Sequence, residues 1–161
     1  MATEVQSRGF TIIELVVTVA IIALLASAVI PSAQLVYQRE QEAELRAALR
    51  TIRTAIDAYK RASDTGSIKK DVEQSGYPPD LQVLVDGVDD ARSAKEGVKI
   101  YFLRRVPRDP FWPDPQAAAA DTWGLRSYAS SVDDPQPGDD VFDVYSRSTR
   151  TGLNGIPYHD W

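Results

Sequence analysis

The sequence predicts an α+β protein in which one long N-terminal helix packs on a small antiparallel β-sheet head with long loops. An uncharged, mostly apolar run extends from Leu15 to Gln38, and an amphipathic pattern continues from it to about Ala62. The remaining residues are rich in proline, glycine and short β-prone stretches. The first half of the helix is apolar on every face, as in a membrane span, whereas the second half has one apolar face.

The apolar run is long enough to cross a membrane. As a helix, residues 15–38 would reach roughly 36 Å, against a hydrocarbon core of about 30 Å. Glu14 is the unusual residue, because a carboxylate in such a segment is costly unless it is paired. Two interpretations leave Glu14 without a role: a secretory signal peptide cleaved after Ala26-Ser27-Ala28, and an uncleaved signal anchor. The residues before the run lack the clearly positive charge of a signal peptide.

A third interpretation supplies Glu14 with a partner. Cleavage between Gly9 and Phe10 would create a positively charged α-amino group at Phe10. Within one helix that group would lie one turn from Glu14, and in an assembly it would reach the Glu14 carboxylate of a neighbouring copy. Such a pair would fix the axial register of the assembly. We therefore predict that Glu14 acts in filament assembly.

The stretch RGFTIIEL (residues 8–15), followed by the apolar run and Pro31, resembles the type IV prepilin signature. Type IV pilins and the pseudopilins of type II secretion share this signature. The resemblance implies that prepilin peptidase removes a leader, Met1–Gly9, and N-methylates Phe10. It also implies that Glu14 is the assembly carboxylate and that Pro31 kinks the helix. The leader departs from the pattern in having a single basic residue.

The second half of the helix has one apolar face, marked by residues at spacings of three and four. These residues are Leu45, Ala48, Leu49, Ile52, Ala55, Ile56 and Tyr59. Charged residues are expected on the other faces, where Glu42 with Arg46 and Asp57 with Arg61 form i,i+4 pairs. The helix is expected to end near Ala62–Ser63. The helix would be roughly 78 Å long, which is too long for the head alone to cover. Lipid or other subunits would therefore cover its first half, and its own head would cover its second half.

The head begins with loops and a short helix. Asp80 is predicted to cap a helix through Val85 that Gly87 ends. Residues 100–106 are predicted to be extended. The prolines of PRDPFWPDP (residues 107–115) exclude regular structure there.

The last part of the head is predicted to be a hairpin and a tail. Trp123–Ser130 and Val141–Ser146 form the antiparallel strands, joined by the loop DDPQPGDD (residues 133–140). The tail, Thr151–Trp161, is expected to pack back on the sheet as a loop. The three tryptophans, Trp112, Trp123 and Trp161, are expected in the core of the head.

Short motifs in the head resemble the G-type, or major, pseudopilins of type II secretion. They are Gly76-Tyr77-Pro78, Val106-Pro107-Arg108-Asp109-Pro110, Asp121-Thr122-Trp123-Gly124 and Phe142-Asp143-Val144-Tyr145-Ser146. The alternative is a type IV pilin or minor pilin that serves adhesion, motility or DNA uptake. The small head and the absence of cysteine favour the pseudopilin.

This resemblance implies a single-pass inner-membrane protein with its head in the periplasm. The expected segments are a cleaved leader (1–9), a transmembrane and filament-core helix (10–37), an amphipathic helix (38–63) and a periplasmic head (64–161). The subunits would form a helical homopolymer that helps to export folded proteins through an outer-membrane secretin. The implied partners are minor pseudopilins, prepilin peptidase, an inner-membrane assembly platform and its ATPase.

The resemblance also implies a calcium site in the loop after the D-x-Y-S strand. Here that loop, residues 146–155, has Arg147 and Arg150 where acidic ligands are expected, and Asp160 is the only later carboxylate side chain. Calcium needs six to eight oxygen ligands, so we expect no cofactor in this loop. An acidic cluster elsewhere is an alternative place for calcium, although a solvated loop is the favoured interpretation. The cluster consists of Asp133, Asp134, Asp139 and Asp140.

Catalysis and nucleic-acid binding are not predicted. His159 is the only histidine and is expected on the surface or in packing. Asp109, near Asp114 and Asp121, is expected to cap a turn rather than to act as an acid or base. The net charge of −5 disfavours a nucleic-acid partner.

Overall fold

The computed structural model describes the backbone of residues 9–161 and their side chains, except those of residues 28–33. The described chain divides into two units, one that ends at Arg39 and one that spans Glu40–Trp161. The structure confirms the predicted α+β fold class, because it has a long N-terminal helix and a small antiparallel β head. In chain order the elements are α1 (Ile12–Asp64), α2 (Val83–Asp86), β1 (Val88–Asp89), β2 (Lys99–Ile100), β3 (Trp123–Arg126) and β4 (Asp143–Ser146), with 3-10 helices at Ala119–Thr122 and Tyr158–Asp160.

The bounds of α1 follow from local chemistry. Thr11 caps its start, because the backbone N–H of Glu14 donates to Thr11 Oγ1 at 3.3 Å. Glu14 lies in the first turn, where the helix dipole favours negative charge. Phe10 precedes the helix in the uncleaved chain, and the spacing of its amine from Glu14 after cleavage stays a prediction. The predicted end near Ser63 is confirmed, and Gly66 follows with a φ of 75°.

Two predictions for the N-terminal part lie outside the described residues. They are the leader, Met1–Gly9, of which the structure describes only Gly9, and the kink at Pro31, which is one of the residues 28–33. Both stay predictions. Within the described residues, no helix combines the length and the hydropathy that a membrane crossing requires.

The core of the second unit forms around the predicted apolar face of α1. Every residue predicted for that face is buried, from Leu45 to Tyr59. Leu84 of α2, Trp123 of β3 and Val144 of β4 pack against it and are also buried. Each fully buried side chain of this size stabilises the fold by about 1.5–3 kcal/mol. Among the tryptophans, Trp123 and Trp161 belong to this core or pack on it, whereas the core prediction is wrong for Trp112.

The short helix α2 ends before Gly87, as predicted, but its N-cap is Gln82 and not the predicted Asp80. Asp80 Oδ1 accepts a hydrogen bond from the Val83 N–H at 2.8 Å, and Gly87 follows the helix with a φ of 73°. The extended conformation predicted for residues 100–106 is wrong beyond Ile100. The reason is that the N–H groups of Phe102 and Leu103 both donate to the Leu84 carbonyl, at 3.0 and 2.9 Å, instead of to a strand.

The predicted hairpin is confirmed as the pair β3–β4. Its antiparallel register places Trp123 opposite Ser146 and Gly124 opposite Tyr145. The first strand is shorter than predicted and ends at Arg126. Beyond it the Ser127 N–H donates to the Gln136 carbonyl, and the Tyr128 N–H donates to a carboxylate in the connecting loop. A second pair, β1–β2, forms a separate antiparallel sheet.

Candidate functional site

The first turns of α1 present a continuous apolar surface. Every large apolar side chain from Phe10 to Leu25 is exposed, by between 50% at Val17 and 84% at Ile12. Exposed apolar surface of this extent is typical of a site that another protein or a membrane covers.

Polar side chains in this segment are satisfied by the helix itself. The Thr18 hydroxyl lies 2.9 Å from both the Glu14 and the Leu15 carbonyl oxygen, and the Ser27 hydroxyl donates to the Leu24 carbonyl at 2.8 Å. Such bonds hide hydroxyl groups from apolar surroundings. By contrast, the Glu14 carboxylate has no hydrogen-bond or ion-pair partner among the described residues. Within this surface, Glu14 is therefore the group whose negative charge a cation from outside the described residues would pair.

The predicted processing residues lie next to this surface. Gly9 and Phe10 are exposed and precede the helix. A Cβ atom built on Gly9 would meet no described atom within 4 Å. Packing within the described chain therefore gives no reason for glycine at this position.

A second carboxylate of α1 is buried, and its role was missed from the sequence. Glu42 is only 3% exposed, so its predicted place on a polar face is wrong. Its Oε1 accepts hydrogen bonds from the Leu153 N–H at 2.7 Å and from the Tyr158 hydroxyl at 3.0 Å. The predicted pair with Arg46 is confirmed, at 3.5 Å from Oε2. Because Glu42 precedes Leu45 by three residues, its spacing already placed it at the edge of the apolar face.

The N-terminal segment and most of the chain both match known proteins. The model of the prokaryotic N-terminal methylation motif matches residues 6–30, which include Gly9, Phe10 and Glu14. The type II secretion system core protein G of Pseudomonas aeruginosa is 30% identical over 143 residues, which cover 84% of this chain and 90% of that protein. The chain belongs to the type II secretion core protein G family. This family membership confirms the predicted resemblance to the major pseudopilins.

Other core protein G sequences align over a similar extent. Those of Klebsiella michiganensis and Klebsiella pneumoniae are each 27% identical and align with 84% of this chain. The alignments cover 89% and 93% of the two relatives. No solved structure matches this chain significantly.

The loop after β4 has two arginines where the core protein G resemblance implies calcium ligands. The guanidinium groups of Arg147 and Arg150 lie over the rings of Trp112 and Phe111, at 4.7 and 5.1 Å. The nearby Glu42 carboxylate already accepts hydrogen bonds from Arg46, Leu153 and Tyr158. In the part of the chain that the structure describes, no three acidic, histidine or cysteine side chains are placed to hold a metal. In the acidic cluster of the loop 133–140, Asp140 accepts hydrogen bonds from the Tyr128 N–H at 2.8 Å and from the Ser75 hydroxyl.

Asp109 and His159, the remaining candidates for acid–base chemistry, both make local contacts in the head. Asp109 is 2% exposed, and its Oδ1 accepts from the Phe111 N–H at 2.8 Å, which confirms the predicted turn. Its Oδ2 accepts from the Ser146 hydroxyl at 2.5 Å. His159 is exposed, as predicted, and lies 2.9 Å from Asp160.

Proposed function

We propose that this chain is the major structural subunit of a periplasmic type II secretion filament. In this proposal the filament helps to export folded proteins through an outer-membrane secretin. The chain contributes a helix for the filament core and a folded head for its surface, and it performs no catalysis. The observation that carries the proposal is the Glu14 carboxylate, which has no partner among the described residues and lies in an exposed, mostly apolar helical surface.

Processing supplies the partner of Glu14. Prepilin peptidase cuts between Gly9 and Phe10 and methylates the new α-amino group of Phe10. The exposed position of both residues before α1, and the absence of a packing reason for Gly9, support a cut at this point. The match of residues 6–30 to the methylation motif supports the modification.

The charge pair forms between copies in the filament. Since Phe10 precedes α1 and Thr11 caps it, the Phe10 amine of a neighbour is the partner for the Glu14 carboxylate. An ion pair in apolar surroundings is strongly favoured over either charge alone, because an unpaired charge there is costly. The pair therefore selects one axial register as each subunit adds.

The same apolar surface has two environments in succession. Before assembly the uncharged run of residues 15–38 lies in the inner membrane, with the head in the periplasm. In the filament the equivalent segments of other copies cover it. The inner-membrane platform and its ATPase drive the transfer, and minor pseudopilins complete the filament. Packing between helices replaces the lipid contacts that extraction removes.

Intact mass and N-terminal fragmentation of the protein from its native membrane test processing. We expect a chain that starts at Phe10 and carries one extra methyl group. A chain that starts at Met1 would instead indicate a signal anchor, and one that starts near Val29 a secreted domain. Either result would overturn the proposal.

Replacement of Glu14 tests assembly separately from processing. We expect Glu14→Gln to be cleaved nearly as well as the wild type, but to form no filaments and to restore no export in a strain that lacks the subunit. Glu40→Gln is the matched control, because it removes an exposed carboxylate from the polar part of α1. Normal filament yield from Glu14→Gln would contradict the role of the charge pair.

A further inference from the structure

We propose that the C-terminal segment of this chain, residues 147–161, is locked onto α1 by Glu42, Arg46 and Arg53, and that the lock needs no bound calcium. The lock is built from side chains of one helix that reach the backbone and rings of the segment. This inference concerns the fold of the head and does not depend on the filament proposal.

Glu42 is the centre of the lock. Its buried carboxylate accepts the Leu153 N–H and the Tyr158 hydroxyl on the same oxygen, Oε1. Hydrogen bonds to a charged acceptor are stronger than neutral ones, and losing the acceptor leaves buried donors unsatisfied. The Glu42 side chain thus binds both Leu153, in the loop after β4, and the 3-10 helix Tyr158–Asp160.

Two arginines extend the lock along α1. The Arg46 guanidinium carbon lies 4.1 Å from the centre of the Trp161 ring, and Arg46 also balances the charge of Glu42. Arg53 donates from Nη2 to the backbone oxygens of Val144 and Trp161, at 3.0 and 2.8 Å. The segment is therefore held at its middle and at Trp161.

The loop itself is closed by its own backbone. The Tyr158 N–H donates to the Arg150 carbonyl at 3.1 Å, and the Gly152 N–H donates to the Ile156 carbonyl at 2.9 Å. Tyr158 stacks on Phe111 at 4.0 Å, and the Arg150 guanidinium covers the Phe111 ring. Positive side chains at this place oppose a divalent cation, and the Arg150 and Ile156 carbonyl oxygens already accept hydrogen bonds.

The first experiment compares calcium and a chelator on the full chain in detergent. Hydrogen exchange of the segment and the thermal midpoint are measured in millimolar calcium chloride and in EGTA. We expect the same exchange protection at residues 150–161 and the same midpoint in both. A midpoint that rises with calcium, or protection of the segment that EGTA removes, would overturn the proposal.

The second experiment removes the acceptor. We expect Glu42→Ala to accelerate exchange of the Leu153 amide by about tenfold or more, while Glu40→Ala, an exposed carboxylate on the same helix, leaves it unchanged. Unchanged Leu153 exchange in a folded Glu42→Ala variant would show that the lock does not exist. If Glu42→Ala does not fold, Tyr158→Phe removes one of the two donors and is expected to accelerate exchange around the 3-10 helix; no acceleration there would also count against the lock.

Discussion

Arg53 of α1 donates from Nε to Asp143 Oδ1 at 2.7 Å, although 90 residues separate the two in the sequence. The same Asp143 carboxylate lies 3.6 Å from Arg126 on the paired strand. Arg53 thereby joins the long helix, the strand β4 and the end of the C-terminal segment.

Arg53→Met is expected to lower the free energy of unfolding by about 1–3 kcal/mol, because it removes three hydrogen bonds from one planar group. Denaturant unfolding of the detergent-solubilised chain, followed by tryptophan fluorescence, measures the change. Arg53→Lys keeps the charge but not the fork of donors, so it should recover only part of the loss. Full recovery by lysine would mean that charge alone matters here.

Gly124 lies beneath the ring of its register partner Tyr145. A Cβ at Gly124 would be 2.3 Å from two atoms of that ring, so Gly124→Ala forces the ring to move. We expect a loss of about 1–3 kcal/mol in unfolding free energy. In a double-mutant cycle, Gly124→Ala should cost much less when Tyr145 is already alanine. Additive losses in the cycle would rule out the steric explanation.

Asp109 organises the proline-rich segment from a buried position. Asp109→Ala leaves the Phe111 N–H and the Ser146 hydroxyl without their acceptor, so we expect a loss of about 2–4 kcal/mol. Asp114→Ala is the matched control in the same segment, because Asp114 caps a single exposed turn through the Gln116 N–H at 2.8 Å. Its effect should be below about 1 kcal/mol. Equal losses from both variants would refute the special role of Asp109.

Alkaline pH is expected to destabilise the head. Burial raises the pKa of the Tyr59 hydroxyl, and the charge of Asp80 raises it further. Because the folded-state pKa is the higher one, the contribution to stability is complete below the ordinary tyrosine pKa of about 10. It is lost as the pH rises through the folded-state pKa.

The free energy of unfolding, measured at pH values below and above about 10, should therefore fall once the pH exceeds the ordinary tyrosine pKa. Tyr59→Phe should make that fall shallower, whereas Tyr101→Phe, at an exposed tyrosine, should not change it. An equally steep fall in Tyr59→Phe would show that other groups cause the alkaline loss.

Most of the helix could be predicted from the sequence because its signals are local. The apolar residues of the second half recur at helical spacing, and all of them are buried. Thr11 and Glu14 have the spacing of a helix start. The strand ends were harder to predict, since β3 stops at Arg126 only because distant groups, Gln136 and Asp140, capture the next two N–H groups.

The candidate assembly site is also a local pattern. Gly9, Phe10 and Glu14 stand together in a short stretch before an apolar run, so their proposed roles were visible without a structure. The C-terminal lock was not visible, because Glu42 and Tyr158 are 116 residues apart. The arginines of the loop predicted only that calcium would not fit there.

The sequence by itself determined the apolar residues of one helix face, from Leu45 to Tyr59, and the chemistry of the first turn of that helix. These depend on spacings of three or four residues, and a regular helix converts such spacings directly into positions in space. Only the tertiary structure decided that Glu42 is buried, that Arg53 joins three elements and that Tyr145 covers Gly124. Those contacts depend on how distant segments pack, and the partner of a side chain across such a distance is chosen by the fold as a whole.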